Sequence, residues 1–128
     1  LNDDGNLIDA ATIGAIAALK TARMPKYDEE TGRVIYGELT NEKMPVEKEP
    51  PIVITAHKIG NSWIVDPTLE EEDVSEARVT IGATPEGIIS SIQKGEAQEI
   101  SIEEFENVID MTEKVRKKVF KDIEGSLN

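Results

Sequence analysis

The residues best suited to chemistry lie in one acidic stretch, DPTLEEEDVSEAR, at positions 66–78. It carries six carboxylates and one arginine directly after an apolar, strand-like segment. Carboxylates on a loop at the end of a sheet are typical of general acid/base or Mg²⁺ chemistry. A charged run is also typical of a solvated surface loop. The residue types alone therefore leave a reactive site and a solvated loop both open.

Two other places carry residues that could do chemistry, and both favour a structural reading. Asp3, Asp4 and Asn6 surround Gly5, but a calcium-binding loop would need further ligands and a glutamate at its twelfth position. A backbone turn explains these four residues better than a calcium-binding loop does. His57 is the single histidine and lies in a predicted strand without a recognisable serine or cysteine partner, so we predict a structural role for it. No metal site and no cofactor are predicted.

The composition limits the classes of function. The 128 residues suffice for one domain, and the 26 acidic against 14 basic residues give a net charge of −12. The negative net charge disfavours direct binding of nucleic acid by this chain alone, because such binding needs clustered lysines and arginines. The chain has no cysteine, which excludes disulfides and thiolate metal sites. No apolar run approaches the roughly 18 residues of a membrane span, so no membrane partner is predicted.

The first half of the chain predicts one helix and one long loop. Residues 10–19 are almost all apolar and mostly small, which predicts a helix buried on all sides, with Asp9 as its N-cap. Met24-Pro25 should end this helix, because a residue before proline is driven out of helical angles. Residues 26–50 predict a long polar loop, within which RVIYGEL at 33–39 could form a short strand.

The second half predicts two hairpins and a closing helix. β-Branched runs at 52–60 and 62–67, and further runs at 77–83 and 87–95, are each joined by glycine-containing turns. Ser101 followed by Glu104 forms a capping box, and the apolar residues after it recur at helical spacing. Gly125 should stop that helix, and its basic stretch 114–121 should lie on a solvated face. The fold class is therefore α+β, an antiparallel sheet covered by helices.

Three segments together resemble a known family. DDGNLIDAATIGAIAAL at 3–19, AHKIGNSWIVDPTLEEEDVSEARVTI at 56–81 and ISIEEFENVIDM at 100–111 resemble the second half of RNase PH-like proteins. They are most similar to the non-catalytic RNase PH-type subunit of the archaeal exosome ring. The resemblance implies the second half of an RNase PH-like (ribosomal protein S5 domain 2-like) fold. Residues 1–128 would then be the C-terminal part of a single RNase PH-like domain whose N-terminal half is absent from this chain, and the non-methionine start at Leu1 agrees with a fragment.

The resemblance also implies a degenerate active site. Catalytic members degrade RNA from the 3′ end with phosphate as the attacking group, which an arginine in a Gly-Thr-Arg turn holds and two aspartates assist. Asp66 matches the strand-end aspartate of that pattern. Ile8 stands in the place of the phosphate-binding arginine, Glu72 in that of the first functional aspartate, and Arg78 in that of the second. We therefore expect no catalytic residues here, because well-placed charges supply several kcal/mol of barrier lowering in such chemistry.

The implied function is architectural. In the family, three such subunits alternate with three catalytic RNase PH-like subunits in a hexameric ring, cap subunits with RNA-binding domains dock on it, and RNA passes through the pore. The chain would shape the partner's active site and the RNA path, in the cytoplasm. RNA-contacting residues are not assigned. Two alternatives stay open: an active phosphorolytic 3′-to-5′ exoribonuclease of the RNase PH type, and a freestanding acidic protein-interaction module.

Overall fold

The computed structural model describes residues 3–123, which form three helices and six strands. In chain order the elements are α1 (Leu7–Thr21), β1 (Arg23–Asp28), β2 (Arg33–Lys43), β3 (Ile52–Ile59), β4 (Ser62–Val65), α2 (Leu69–Asp73), β5 (Ala77–Ala83), β6 (Ile89–Gly95) and α3 (Ile102–Ile123).

A four-stranded antiparallel sheet in the order β4-β3-β5-β6 forms the centre of the fold. Both predicted hairpins are confirmed: β3 pairs with β4, and β5 pairs with β6. The two hairpins join through β3 and β5, whose register sets Thr55 opposite Thr80 and His57 opposite Arg78. The α+β class is confirmed, since helices pack against this sheet.

Helix α3 covers one face of the sheet and closes the main core. Ala56, Val79, Ile81 and Val108 are fully buried at this contact, where the apolar face of the helix meets alternate residues of two neighbouring strands. The predicted capping box is present, with the Glu104 amide donating to Ser101 Oγ at 3.1 Å and the Ser101 amide to Glu104 Oε2 at 2.8 Å. The predicted stop at Gly125 lies outside the described residues.

The basic stretch of α3 does not lie wholly on a solvated face. Arg116 is only 2% exposed, and its guanidinium donates to the carbonyl oxygens of Thr84 and Pro85. Glu113 provides a bidentate partner at 2.7 Å and 2.9 Å. The buried guanidinium of Arg116 joins the β5–β6 turn to α3 through these charge-assisted hydrogen bonds. Because the partners lie far apart in the sequence, the local charge pattern could not indicate this role.

Helix α1 differs from its prediction at its start and in its burial. It begins at Leu7 with Asn6 as its N-cap, so the prediction of Asp9 as the cap was wrong. The prediction of burial on all sides was also wrong, because only Asp9 and Ile16 are buried along its length. The alanine-rich face is exposed in this chain. The helix ends at Thr21, and Pro25 lies in the following strand.

The prediction of a long loop at residues 26–50 was wrong over most of its length. β1 and β2 form a separate two-stranded antiparallel sheet, and the short strand predicted at 33–39 is the first part of β2. Register shifts interrupt the pairing on both sides of Pro25. These bulges remove the period-two alternation by which a strand is recognised in a sequence. Large apolar side chains on this hairpin are exposed, with Tyr36 fully so.

Within residues 3–123, no helix combines the length and the apolarity that crossing a membrane would require.

Candidate functional site

Asp9 fastens the start of α1 to the open edge of β3. Strand β4 pairs with β3 only from Ala56 onward. The backbone amide of Thr55, just before this pairing begins, therefore needs another hydrogen-bond acceptor. The Asp9 carboxylate supplies it, accepting the Thr55 amide at 2.9 Å and the Thr55 hydroxyl at 2.6 Å. The Thr55 hydroxyl also lies 3.0 Å from that of Thr80 on β5. Burial raises the pKa of Asp9, and the bonds from Thr55 oppose that rise.

The turn before α1 lies directly against the acidic run. Gly5 has φ +92°, and a Cβ at this position would collide with the Pro67 carbonyl and the backbone that follows it. The Asn6 side-chain amide donates to Asp66 Oδ1 at 2.9 Å. The Asn6 backbone amide donates to Glu72 Oε1 at 2.8 Å. Two carboxylates of the acidic run therefore hold the N-terminal end of α1.

Part of the acidic run forms the short helix α2, and the carboxylate of Glu71 caps the start of that helix. Thr68 and Glu71 form a capping box at the start of α2, with bonds of 2.9 Å and 3.4 Å. Glu70, Asp73 and Glu76 are exposed. Within the described residues 3–123, no group of three or more histidine, cysteine, aspartate or glutamate side chains has the geometry to hold a metal ion. The run is thus a capped turn with a solvated side, joined to α1 by the carboxylates of Asp66 and Glu72.

His57 lies beneath the acidic run and is only 4% exposed. Its Nδ1 lies 3.2 Å from Ser75 Oγ, and its Nε2 lies 3.9 Å from Glu72 Oε1. The Ser75 hydroxyl donates to the Ala77 carbonyl at 3.1 Å, so its proton is already committed and it accepts from the imidazole. Burial lowers the pKa of His57, which Glu72 opposes and Arg78 reinforces. A neutral imidazole supporting the loop fits these contacts, and Ser75 is the partner that the sequence did not indicate.

The three positions predicted to be degenerate, Ile8, Glu72 and Arg78, lie in the region between the start of α1 and His57. Glu72 is half-buried above His57, and Arg78 lies opposite His57 on the neighbouring strand. Ile8 follows in the first turn of α1, two residues after the amide that Glu72 accepts, and is 40% exposed. The Arg78 guanidinium lies along Gly95, where an added Cβ would come within 2.8 Å of Nη2. Replacement of Gly95 by any larger residue would displace this arginine.

Comparison with known families settles the fold relationship. The family described as "3' exoribonuclease family, domain 2" matches residues 49–115, which is more than half of the chain. The chain belongs to this family. The matched residues contain the four-stranded sheet, the acidic run and most of α3. The RNase PH-like fold expected from the three sequence segments is thereby confirmed.

Individual members of the exoribonuclease family extend the comparison. The exosome complex component Rrp42 of Pyrococcus furiosus is 46% identical over 136 residues, which cover all of this chain and 48% of that protein. A solved structure of the Archaeoglobus fulgidus exosome with RNA bound to the active site superposes with a TM-score of 0.77 at 28% identity, covering 96% of this chain and 45% of its counterpart. An archaeal exosome core superposes with a TM-score of 0.71 at 31% identity, covering 92% and 46%. The chain therefore spans about half the length of the relatives it matches.

Proposed function

We propose that this chain is the C-terminal half of a non-catalytic ring subunit of an exosome, which serves 3′-to-5′ RNA degradation by shaping the active site of a catalytic partner. Support comes from relatives named as exosome components and from one contact at the start of α1. That contact is the 2.8 Å hydrogen bond from the Asn6 amide to Glu72 Oε1.

This contact matters because the N-terminal end of a helix is a natural anion site. Its free amides and the helix dipole favour a phosphate there. In this chain the amide of Asn6 already has a carboxylate partner, and Asp66 lies beside it at 2.9 Å from the Asn6 side chain. An incoming phosphate would meet two resident negative charges. The position that the family pattern gives to a phosphate-binding arginine holds the apolar side chain of Ile8.

The other two aligned positions support the same proposal. Glu72 faces His57 and the helix, so its carboxylate is committed to holding the loop. Arg78 places a positive charge where the pattern has an aspartate, so it could not take up a proton from water or bind a metal ion. We infer that Ile8, Glu72 and Arg78 mark a degenerate site whose folded loop is kept for its shape.

The proposal includes its partners. The chain would form part of a single RNase PH-like domain, residues 1–128 being its C-terminal part, and would assemble with a catalytic RNase PH-like subunit as a ring of three heterodimers. Cap subunits with RNA-binding domains would dock on that ring. RNA would be held by the assembly, which accords with the net charge of −12 on this chain. The cytoplasm would be the site of action.

The test uses the complete subunit that the proposal implies, an N-terminal half followed by residues 1–128, alone and mixed with a catalytic RNase PH-type subunit. We expect no phosphate-dependent release of nucleoside diphosphates from RNA by the complete subunit alone, and release by the mixture. Size-exclusion chromatography of the mixture should give a particle of six subunits. Phosphorolysis by the complete subunit alone would contradict the proposal and favour an active RNase PH-type enzyme. A monomer that never associates with the catalytic subunit would favour the freestanding interaction module.

A further inference from the structure

A cavity of about 500 Å³ opens at the C-terminal end of α1, the end opposite to the site described above. Its floor is apolar and comes from three separate elements. Ile16 lies on α1, Ile52 begins β3, and Phe120 and Ile123 lie in the last turns of α3. Its volume falls within the range of ligand sites, roughly 300 to 1,000 Å³. The floor is part of the second apolar cluster of the fold, so the cavity is built on packed elements.

The charged side chains around this cavity are mostly basic. Lys20 on α1, Lys48 on the loop before β3 and Lys121 on α3 line it, with Glu49 as the one acidic member. In a chain with 26 acids and 14 bases, three lysines against one glutamate reverse the overall balance. We call the cavity with its three lysines the lysine pocket.

Among the described residues 3–123, the lysines of the lysine pocket form no ion pair. Within residues 3–123, none of the three has a carboxylate oxygen within 4.0 Å, although other lysines of the chain do. The Glu49 carboxyl interacts with Glu86, which raises the pKa of Glu49, and the nearby charge of Lys48 opposes that rise. The one acid of the rim therefore interacts with another acid as well as with Lys48, and within residues 3–123 it forms no ion pair with any of the three lysines.

We propose that the lysine pocket binds an acidic peptide segment of a partner protein, one in which a bulky apolar side chain is flanked by aspartates or glutamates. The apolar side chain would occupy the floor, which offers no side-chain hydrogen-bonding groups, and the carboxylates would meet the lysines. The lysines come from three separate elements around the opening. Charges distributed in this way suit several carboxylates spaced along a chain better than one compact anionic group. This site is additional to the proposed role in the ring.

A competing explanation assigns two of the lysines to the helices alone. Lys20 and Lys121 lie in the last turns of α1 and α3, where a positive charge offsets the helix dipole. That role needs no ligand. It predicts that substitution changes stability without any effect on the binding of a peptide, whereas the proposal predicts a loss of binding.

The experiment uses the full chain and two fluorescein-labelled probe peptides of equal length. The acidic probe is acetyl-Asp-Glu-Phe-Glu-Asp-amide and the neutral probe is acetyl-Asn-Gln-Phe-Gln-Asn-amide. Fluorescence anisotropy should show binding of the acidic probe that weakens as sodium chloride is raised from about 0.02 to 0.5 M, because salt screens exposed charges. The neutral probe should bind at least about tenfold more weakly, since each lost ion pair at an exposed site costs up to a factor of about five. Equal binding of both probes would overturn the proposal, and so would failure of the acidic probe to bind at low salt.

Substitutions locate the binding. The double variant Lys20→Gln with Lys121→Gln should weaken binding of the acidic probe by about tenfold. The matched control is Lys114→Gln with Lys118→Gln, two exposed lysines of α3 outside the pocket, which should leave the affinity unchanged within a factor of two. Methyl NMR signals of Ile16, Ile52 and Ile123 should shift on titration with the acidic probe. Equal losses in both double variants, or shifts confined to other methyl groups, would show non-specific attraction and overturn the assignment. Circular dichroism confirms that each variant is folded.

Discussion

The two ends of α1 carry opposite charge and differ in how that charge is held. At the N-terminal end, Asp9, Asp66 and Glu72 accept hydrogen bonds from Thr55 and Asn6 at 2.6 to 2.9 Å. At the C-terminal end, the lysines of the lysine pocket line an open cavity. Both arrangements complement the helix dipole. The difference indicates that charges at the N-terminal end contribute to the fold because they are hydrogen-bonded. The lysines at the C-terminal end form no ion pair within residues 3–123 and are the ones proposed to meet a ligand.

The largest effect is expected at the close approach before α1. Gly5→Ala should lower the free energy of unfolding of the full chain by about 3 kcal/mol, because the residue has φ +92° and its Cβ would collide with the Pro67 carbonyl. Urea denaturation followed by circular dichroism measures the change. Gly14→Ala is the matched control: an added Cβ there meets nothing within 4 Å, and alanine favours a helix by about 1 kcal/mol over glycine. Equal effects of the two variants would mean that the N-terminal end is not tightly packed.

Asp9→Ala should have the next largest effect. It removes the acceptor of two buried donors on Thr55, which should lower the free energy of unfolding by about 2 kcal/mol. Asp110→Ala, at an exposed position on α3, should change it by less than about 0.5 kcal/mol. If both variants lose the same stability, the bond between α1 and β3 does not hold the helix.

The pH dependence of Asp9 gives a second measurement. Because burial raises its pKa in the folded state above the ordinary value of 3.8, the folded chain takes up this proton more readily than the unfolded chain. The contribution of Asp9 is therefore greatest below pH 3.8 and declines as the pH rises through the raised value. Relative to Asp9→Asn, the native chain should gain stability as the pH falls from 7 towards 4. A constant difference across that range would contradict the raised pKa.

Glu72 is expected to contribute less, since it is only partly buried. Glu72→Ala should lower the free energy of unfolding by about 1 kcal/mol by removing the acceptor of the Asn6 amide, in the manner of a lost helix cap. Glu72→Gln keeps an oxygen in place and should recover most of that loss. Glu70→Ala, two residues earlier in the same small helix and at an exposed position, serves as the control. Amide hydrogen exchange at Asn6 should accelerate in Glu72→Ala alone, and unchanged exchange there would contradict the contact.

The sequence predicted those parts of the fold whose signals are local. The two hairpins of the central sheet follow alternation and turn residues, and α3 follows its capping box from Ser101 to Glu104. The cap of α1 was misassigned because Asp9 and Asn6 are both good capping residues. The choice depends on Thr55, which lies 46 residues further along the chain. The contacts of Glu72 with Asn6 and His57 are equally non-local, so family resemblance could indicate the position of Glu72 but not its hydrogen bonds.

The smallest effect is expected at the C-terminal end of α1, and it decides whether the comparison holds. Lys20→Gln should change the free energy of unfolding by no more than about 0.5 kcal/mol, because Lys20 forms no ion pair within residues 3–123 and its charge acts on the dipole of the helix end. Thermal unfolding at low and high salt measures it, and the small loss should vanish at high salt as the dipole interaction is screened. A loss as large as that of Asp9→Ala would mean that this lysine, too, is part of the packed structure. The two ends of α1 would then be alike, and the C-terminal charge would not be available for a ligand.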